Sequence, residues 1–287
     1  MANSRSHRPL QFVLGLEGIA LLRGWLVGEN TVVDERIARI ARLIATPSEG
    51  GLRDTIDVAE MDVRDGYAMW SATYDDRHYN GPLMVEERGI RPILRALPPA
   101  LALDAACGTG RHADFLATLG HRVVGIDFSP EMLSVARAKV PTSPFLIGAL
   151  DALPFDTGRF DVAVCSLALT HFRDLTAAVE ELGRVVRKGG RIILSDIHPL
   201  LVALGAGSAV YATADGNRAF TRSHLHLHSM YLASFAQAHL HVRACFEPVF
   251  TEAEVAMVQT GNRFAPQSIP GAFLGLPAVL IWDLDRQ

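Results

Sequence analysis

The sequence predicts an α/β protein built on a doubly wound, mostly parallel sheet. Three observations carry that expectation. Between Leu101 and Asp196, short apolar runs alternate with segments of helical periodicity, the pattern of buried strands connected by crossover helices. The first run, LALDAA, stops at the small-residue loop CGTG, and a helical pattern follows at once; such a turn lets backbone approach a ligand and opens a helix whose free N–H groups favour negative charge. The next run, RVVGID, ends in Asp127, near the ~20-residue offset at which folds of this kind place a carboxylate on a ribose.

The elements follow in order. Residues up to about Asp65 read as helices, LQFVLGLEGIALLRGWLVG and VVDERIARIARLIA, followed by the polar linker TPSEGGLRD. DGYAMWSATYDD and VEERGIRPILRAL then lead to Pro98 and Pro99, which mark entry into the core. From there the sequence reads as strand 101–106, a helix, strand RVVGID, helix PEMLSVARAKV, strand PFLIG, strand FDVAVCSL, a helix through Glu180 and Val186, and strand RIILSD. After Pro199 come a Gly/Ala-rich stretch, a His-rich segment, a helix around Tyr231 to Ala238, and strands VRACFEPVF and AVLIWDL. The expected division is a helical extension over 1–66 and a main domain over 67–287, with 200–230 as an insertion capping the substrate side.

Composition narrows the partners. A chain of 287 residues, 49% apolar, can bury a large core. A net charge of −4 without Lys/Arg runs argues against nucleic-acid binding and for a small-molecule partner. The three cysteines, Cys107, Cys165 and Cys245, suit neither a disulfide framework nor a zinc site and predict a reducing, cytoplasmic setting with buried thiols. The apolar stretch from Leu10 approaches the length of a membrane span, but Glu17 and Arg23 interrupt it and no small-residue cleavage site follows. It is expected to pack as a helix with no membrane role, forming a lid or a homodimer surface.

The loop residues Gly108 to Ala113 satisfy G-x-G-x-x-A, a pattern that serves a dinucleotide or another adenosine cofactor. Asp104, just before the loop, is awkwardly placed for a pyrophosphate and well placed to attract the ammonium and sulfonium charges of S-adenosylmethionine (SAM). Taken in order, LDAACGTGRH, VVGIDFSPEML, LPFDTGRFDVAVCSLALTHFRD and ELGRVVRKGGRIILSD, with GYAMWSATYD upstream, resemble the class I SAM-dependent methyltransferases. The likeness is greatest to the type 11 family that includes quinone-biosynthesis enzymes, and at motif level it runs from about Tyr67 to Asp196.

The resemblance implies a seven-stranded sheet whose antiparallel last strand slots between strands five and six, with SAM as cofactor. It implies that the backbone from Cys107 to Gly110 lies against methionine and ribose, Asp127 on the ribose hydroxyls, and Phe128 and Met132 near adenine. Tyr74, Asp104, Ala106, Leu150, Asp151 and Ser166 complete the candidate cofactor-binding set. Two positions depart from the family pattern. Ala106 stands where glycine is usual, and Ala149 where an acid usually receives the adenine amino group. The Leu150 backbone can still meet the ring edge, and Asp151 is either the replacement acceptor or the N-cap of a helix.

On the substrate side, Tyr67, Trp70 and Tyr74 recur at helical spacing, either covering a sulfonium with their faces or packing on the sheet. His171 after strand four and His198 after strand five sit where doubly wound folds hold ligands, as general-base candidates or as structural hydrogen-bonding groups. In SHLHLHSMY, an extended chain would put His224, His226 and His228 on one face of the substrate pocket. With no acid or cysteine beside them in sequence, no metal site is expected. The function these features support is methyl transfer from SAM to an oxygen, nitrogen or carbon of a small metabolite. The alternatives are a SAM-binding cyclase, isomerase or ligand sensor, and an NAD-linked oxidoreductase.

Overall fold

The computed structural model describes residues 4–28, 30–45, 51–76, 81–207, 209–212, 218–261 and 264–287. Its N-terminal part comprises β1 (Ser4–His7), α1 (Pro9–Val27), α2 (Asn30–Ala45), β2 (Ile56–Glu60), α3 (Val63–Trp70) and α4 (Gly81–Arg95). The alternating core follows as β3 (Leu101–Ala105), α5 (Arg111–Thr118), β4 (Arg122–Asp127), α6 (Pro130–Lys139), β5 (Phe145–Ile147), β6 (Phe160–Ser166), α7 (Thr176–Val185) and β7 (Val186–Ile197). The remainder is α8 (Pro199–Ala203), β8 (Ala209–Ala212), β9 (Arg218–Thr221), α9 (His228–Gln237), β10 (Leu240–Phe246), α10 (Glu252–Gly261), α11 (Ile269–Phe273) and β11 (Val279–Arg286).

The main sheet has seven strands in the order β10-β11-β7-β6-β3-β4-β5. β11 runs antiparallel to both β7 and β10 and lies between them, as the resemblance implies. Side chains alternate across the sheet with period two. Val162 and Val164 enter one apolar cluster with Leu116, Leu133 and Ile90, while Ala163 and Cys165 enter another with Val179, Leu182 and Phe235. Helices α4, α5 and α6 therefore cover one face, and α7 and α9 the other. The strand order turns at β3, between β4 and β6, and the loops leaving their carboxyl ends open into a common crevice.

The N-terminal extension is not purely helical. β1 and β2 pair with each other, and β2 runs parallel to β9 of the β8–β9 hairpin, giving a second sheet in the order β1-β2-β9-β8. Residues on both sides of the expected boundary at 66/67 thus build one cap. The thiols of Cys107 and Cys165 are buried as expected, but Cys245 on β10, the sheet's outer strand, is exposed.

α1 is long and apolar enough to cross a membrane by length and composition. Here it lies along the domain, burying Val13 and Leu16 in the same cluster as Ile269 and Phe273 of α11. Glu17 is wholly buried and paired with Arg36 (3.1 Å) and Arg39 (2.8 Å) of α2. The Ser268 hydroxyl also donates to it at 2.6 Å, tying both helices to the start of α11. Leu22, Trp25 and Leu26, at the other end of α1, remain exposed. Glu17→Ala leaves two arginines facing each other without their acid, and should destabilise the protein by about 3 kcal/mol. A thermal melt checks this: a drop of several degrees is expected, and an unchanged midpoint would show that apolar packing alone seats the extension.

Candidate active site

The glycine loop is shaped by two carboxylates at strand ends. Asp127 closes β4 and accepts the Gly108 N–H (2.8 Å) on one oxygen and the Ser129 N–H (2.9 Å) on the other. Its pKa is raised by burial, which those bonds oppose. Asp104 in β3 is also buried, and accepts the Ala113 N–H at 2.8 Å, capping α5 from below. Burial lifts its pKa to about 6. Gly110 has a φ of +75°, and a Cβ there would stand 3.0 Å from that of Ala136, so only glycine lets α5 approach α6. Gly108, at φ +53°, faces open space.

Beyond the loop lies a cavity of about 310 Å³. Ala106, Gly108, Asp127 and Phe128 form its floor, and Ala149, Leu150 and Asp151 one side. Ser166, Leu167, His171 and Phe172 form the other side, and Asp62, Arg64, Tyr67 and Tyr74 the roof. The Ser166 hydroxyl oxygen is buried, yet no donor or acceptor among the described residues reaches it. Asp151 lies in a turn that starts no helix, so the N-cap alternative falls away.

A clasp fastens the roof to the floor. Asp75 accepts from the Thr109 hydroxyl (2.8 Å) in the glycine loop and from Lys139 Nζ (2.6 Å) at the end of α6. Tyr67 and Tyr74 face the cavity, while Trp70 packs behind them with ring centroids 5.8 and 4.9 Å away. Trp70 is therefore a support, not a wall. Burial pushes the Tyr74 phenol up to about 12, so it stays protonated.

His171 ends a short 3-10 turn, Leu169–His171, after β6. Its Nδ1 lies 3.1 Å from the Arg222 carbonyl, which can only accept, so the ring proton sits on Nδ1. Nε2 is then the acceptor for the Tyr67 hydroxyl at 2.7 Å. Burial lowers the pKa of His171, which favours this neutral form. The turn itself is anchored by Asp196 at the end of β7. That carboxyl receives the Thr170 N–H and, at 2.8 Å, the Tyr231 hydroxyl, and burial raises its pKa to about 7.

Several predicted site residues lie elsewhere. Asp104, Cys107, Gly110 and Met132 are outside the cavity lining; Asp104, Cys107 and Met132 are buried, and these residues shape the loop and α5–α6 packing. Asp104 thus meets a helix N-terminus where an open face toward a cationic ligand was expected. His224, His226 and His228 share no face, because residues 222–227 form no strand and His228 begins α9. His226 is buried and bonds the Phe172 carbonyl (2.8 Å), and the His224 backbone N–H bonds the Thr170 carbonyl (2.7 Å).

His198 is also outside the cavity lining. It caps α8, its Nδ1 accepting the Leu200 N–H at 3.1 Å, and its Nε2 meets Glu247 at 3.0 Å. His228 meets the same Glu247 oxygen at 2.9 Å. These three could hold a metal by proximity. The Leu200 bond, however, leaves the His198 proton on Nε2, the atom a metal would need bare.

Sequence reasoning missed Glu86, Asp75 and Arg64. Glu86 on α4 is wholly buried beneath the loop, bonded to Arg111 (2.7 Å), His112 (3.1 Å) and the Ser195 hydroxyl (2.8 Å). Burial would raise its pKa, but Arg111 and His112 hold it well below the carboxylate range. A signal for it existed: two basic residues in the first turn of α5 oppose the helix dipole and call for a nearby acid.

The sheet order and the crevice at its switch point define the class I methyltransferase fold. The fold matches the solved structure of an S-adenosylmethionine-dependent methyltransferase from Mesorhizobium loti, with a TM-score of 0.53 and 22% identity over 70% of this chain and 100% of that one. Residues 103–194 match the family model of the methyltransferase domain. A demethylmenaquinone methyltransferase of Chlorobaculum tepidum is 42% identical over 89 residues, 31% of this chain and 37% of that protein. A malonyl-[acyl-carrier protein] O-methyltransferase of Serratia marcescens is 37% identical over 100 residues, 35% of this chain and 39% of that protein. The chain thus covers well under half the length of these two relatives.

Ala106 holds a φ of +53°, which explains why glycine is usual at this place in the motif. A left-handed alanine costs about 1–2 kcal/mol, and glycine returns about half of that as unfolded-chain entropy. Ala106→Gly should therefore raise the melting temperature by a degree or more; a lower midpoint would show that the loop does not hold this conformation in solution.

Proposed function

We propose that the protein transfers a methyl group from SAM to an oxygen, nitrogen or carbon nucleophile of a small molecule. The observation that carries this reading is the single cavity in which an acid suited to a ribose diol, an unpartnered serine hydroxyl and a Tyr–His pair face one another. The residues present fit the cofactor. Gly108 offers a wall without a side chain, Asp127 retains lone pairs beyond its backbone bonds, and the orphaned Ser166 hydroxyl awaits a polar partner. In this reading Asp127 receives the ribose hydroxyls, Phe128 and Leu150 flank adenine, and Asp151 takes the amino group that Ala149 cannot. Bound there, SAM supplies a methyl group activated by its sulfonium charge.

The chain's own residues prepare the nucleophile. An acceptor O–H or N–H that donates to the Tyr67 oxygen can pass on its proton as Tyr67 gives its own to His171 Nε2. The imidazolium that forms keeps its Nδ1–H on the Arg222 carbonyl, which stabilises it. The roof over the cavity, fastened through Asp75 and completed by the cap sheet of β1, β2, β9 and β8, excludes water.

Asp127→Ala should weaken SAM binding more than tenfold with the fold retained, since it removes charge-assisted bonds worth roughly 1.5 kcal/mol or more each. Titration calorimetry with SAM reads this directly, and unchanged affinity would remove the cofactor placement. His171→Asn should lower turnover roughly 10²-fold, read as S-adenosylhomocysteine formed with a metabolite extract, while SAM affinity stays unchanged. The wild-type rate should fall only as pH drops through a His171 pKa below the ordinary 6.5, because burial keeps the base neutral to lower pH. Full activity in the variant would exclude His171 as base.

A further inference from the structure

We propose, resting on the methyltransferase reading, that Arg64 anchors an anion in the acceptor site, so that the acceptor is an apolar molecule bearing a carboxylate or phosphate about one helical turn from its nucleophile. Arg64 lines the cavity, and among the described residues no acid or carbonyl accepts from its guanidinium. It stands three residues before Tyr67 on α3, on the same face, so their Cβ atoms are roughly 5–6 Å apart. Tyr67 meets His171, and the apolar Val63, Leu167 and Phe172 line the same cavity.

The acids at this rim do not neutralise Arg64. Asp62 directs its carboxylate at the backbone N–H of Arg64 as the N-cap of α3. Asp151 also lines the cavity, beside Ala149 and Leu150, and forms no ion pair with Arg64. Arg173 follows Phe172 of the wall and meets no acid among the described residues, whereas Arg222 is taken up by Glu60 with bonds of 2.6 and 2.7 Å. A planar guanidinium with free N–H groups at the mouth of an apolar cavity matches a carboxylate or phosphate bidentately. SAM itself carries no phosphate, and the methionine end that bears its carboxylate is placed against the glycine loop.

The test is calorimetric titration of the full-length protein, saturated with S-adenosylhomocysteine, with octanoate, octyl phosphate and octanol. At least one anion should bind tenfold or more tighter than octanol, and which of the two binds tighter identifies the headgroup. Arg64→Gln should abolish that gap while leaving octanol and S-adenosylhomocysteine affinities unchanged, and Arg64→Lys should restore part of it. Equal binding of the three probes, a gap that survives Arg64→Gln, or no binding by any probe would overturn the proposal. Failure to bind S-adenosylhomocysteine strikes the cofactor reading alone, because the same titrations on the cofactor-free protein still decide the role of Arg64.

Discussion

The site depends on one buried charge. Glu86 lies on a helix upstream of the sheet, yet its carboxylate receives partners from α5 and β7, and so fixes where the glycine loop's helix begins. Arg111 occupies the first turn of that helix, where the dipole disfavours a cation, and a wholly buried acid offsets it while also bonding the His112 ring. Without it, the buried Arg111 would keep only the 3.6 Å approach of Glu87. With it, α5 is seated, its Ala113 N–H reaches Asp104, and Gly108 is presented to Asp127.

Two aspartates that look alike in sequence acquire different tasks through this geometry. Asp127 closes its strand and borders the cavity, so its backbone bonds leave lone pairs for a ligand. Asp104 lies within β3, with its side chain turned toward the α5 N-terminus. Charge type and spacing placed both near the loop but could not say which one faces outward. The core strands were legible because apolar runs and helical periodicity survive in one dimension, whereas the reversed last strand and its place in the sheet came only as what the resemblance to the methyltransferases implies. Glu86 was not, since a glutamate in an amphipathic helix reads as solvent-facing until the helix is laid across α5 and β7.

The cap was the least legible part, and the reason is distance along the chain. β1 is the polar SRSH, with no apolar alternation, and β2 finds its parallel partner in β9, far away in sequence. Neither strand has a local reason to form; each exists because the other sequence arrives. The same holds for His224, His226 and His228, whose spacing suggested one face. The chain instead turns into α9 at His228, so the three rings meet different partners: His226 the Phe172 carbonyl and His228 Glu247.

The cap and the core meet at the Tyr67–His171 pair, which couples the proposed chemistry to closure. Tyr67 comes from α3, which packs against the cap sheet, and the Arg222 carbonyl that fixes the His171 tautomer directly follows β9 of that sheet. Arg222 in turn bridges to Glu60 at the end of β2 with bonds of 2.6 and 2.7 Å. On the core side, Asp196 and Tyr231 hold the turn that carries His171. The imidazole therefore accepts from Tyr67 only when the cap is seated: lifting it would take away both the phenol on Nε2 and the carbonyl on Nδ1. In the proposed mechanism, a base assembled from two layers would be competent only when the cavity is closed to water, the condition under which a desolvated nucleophile reacts fastest.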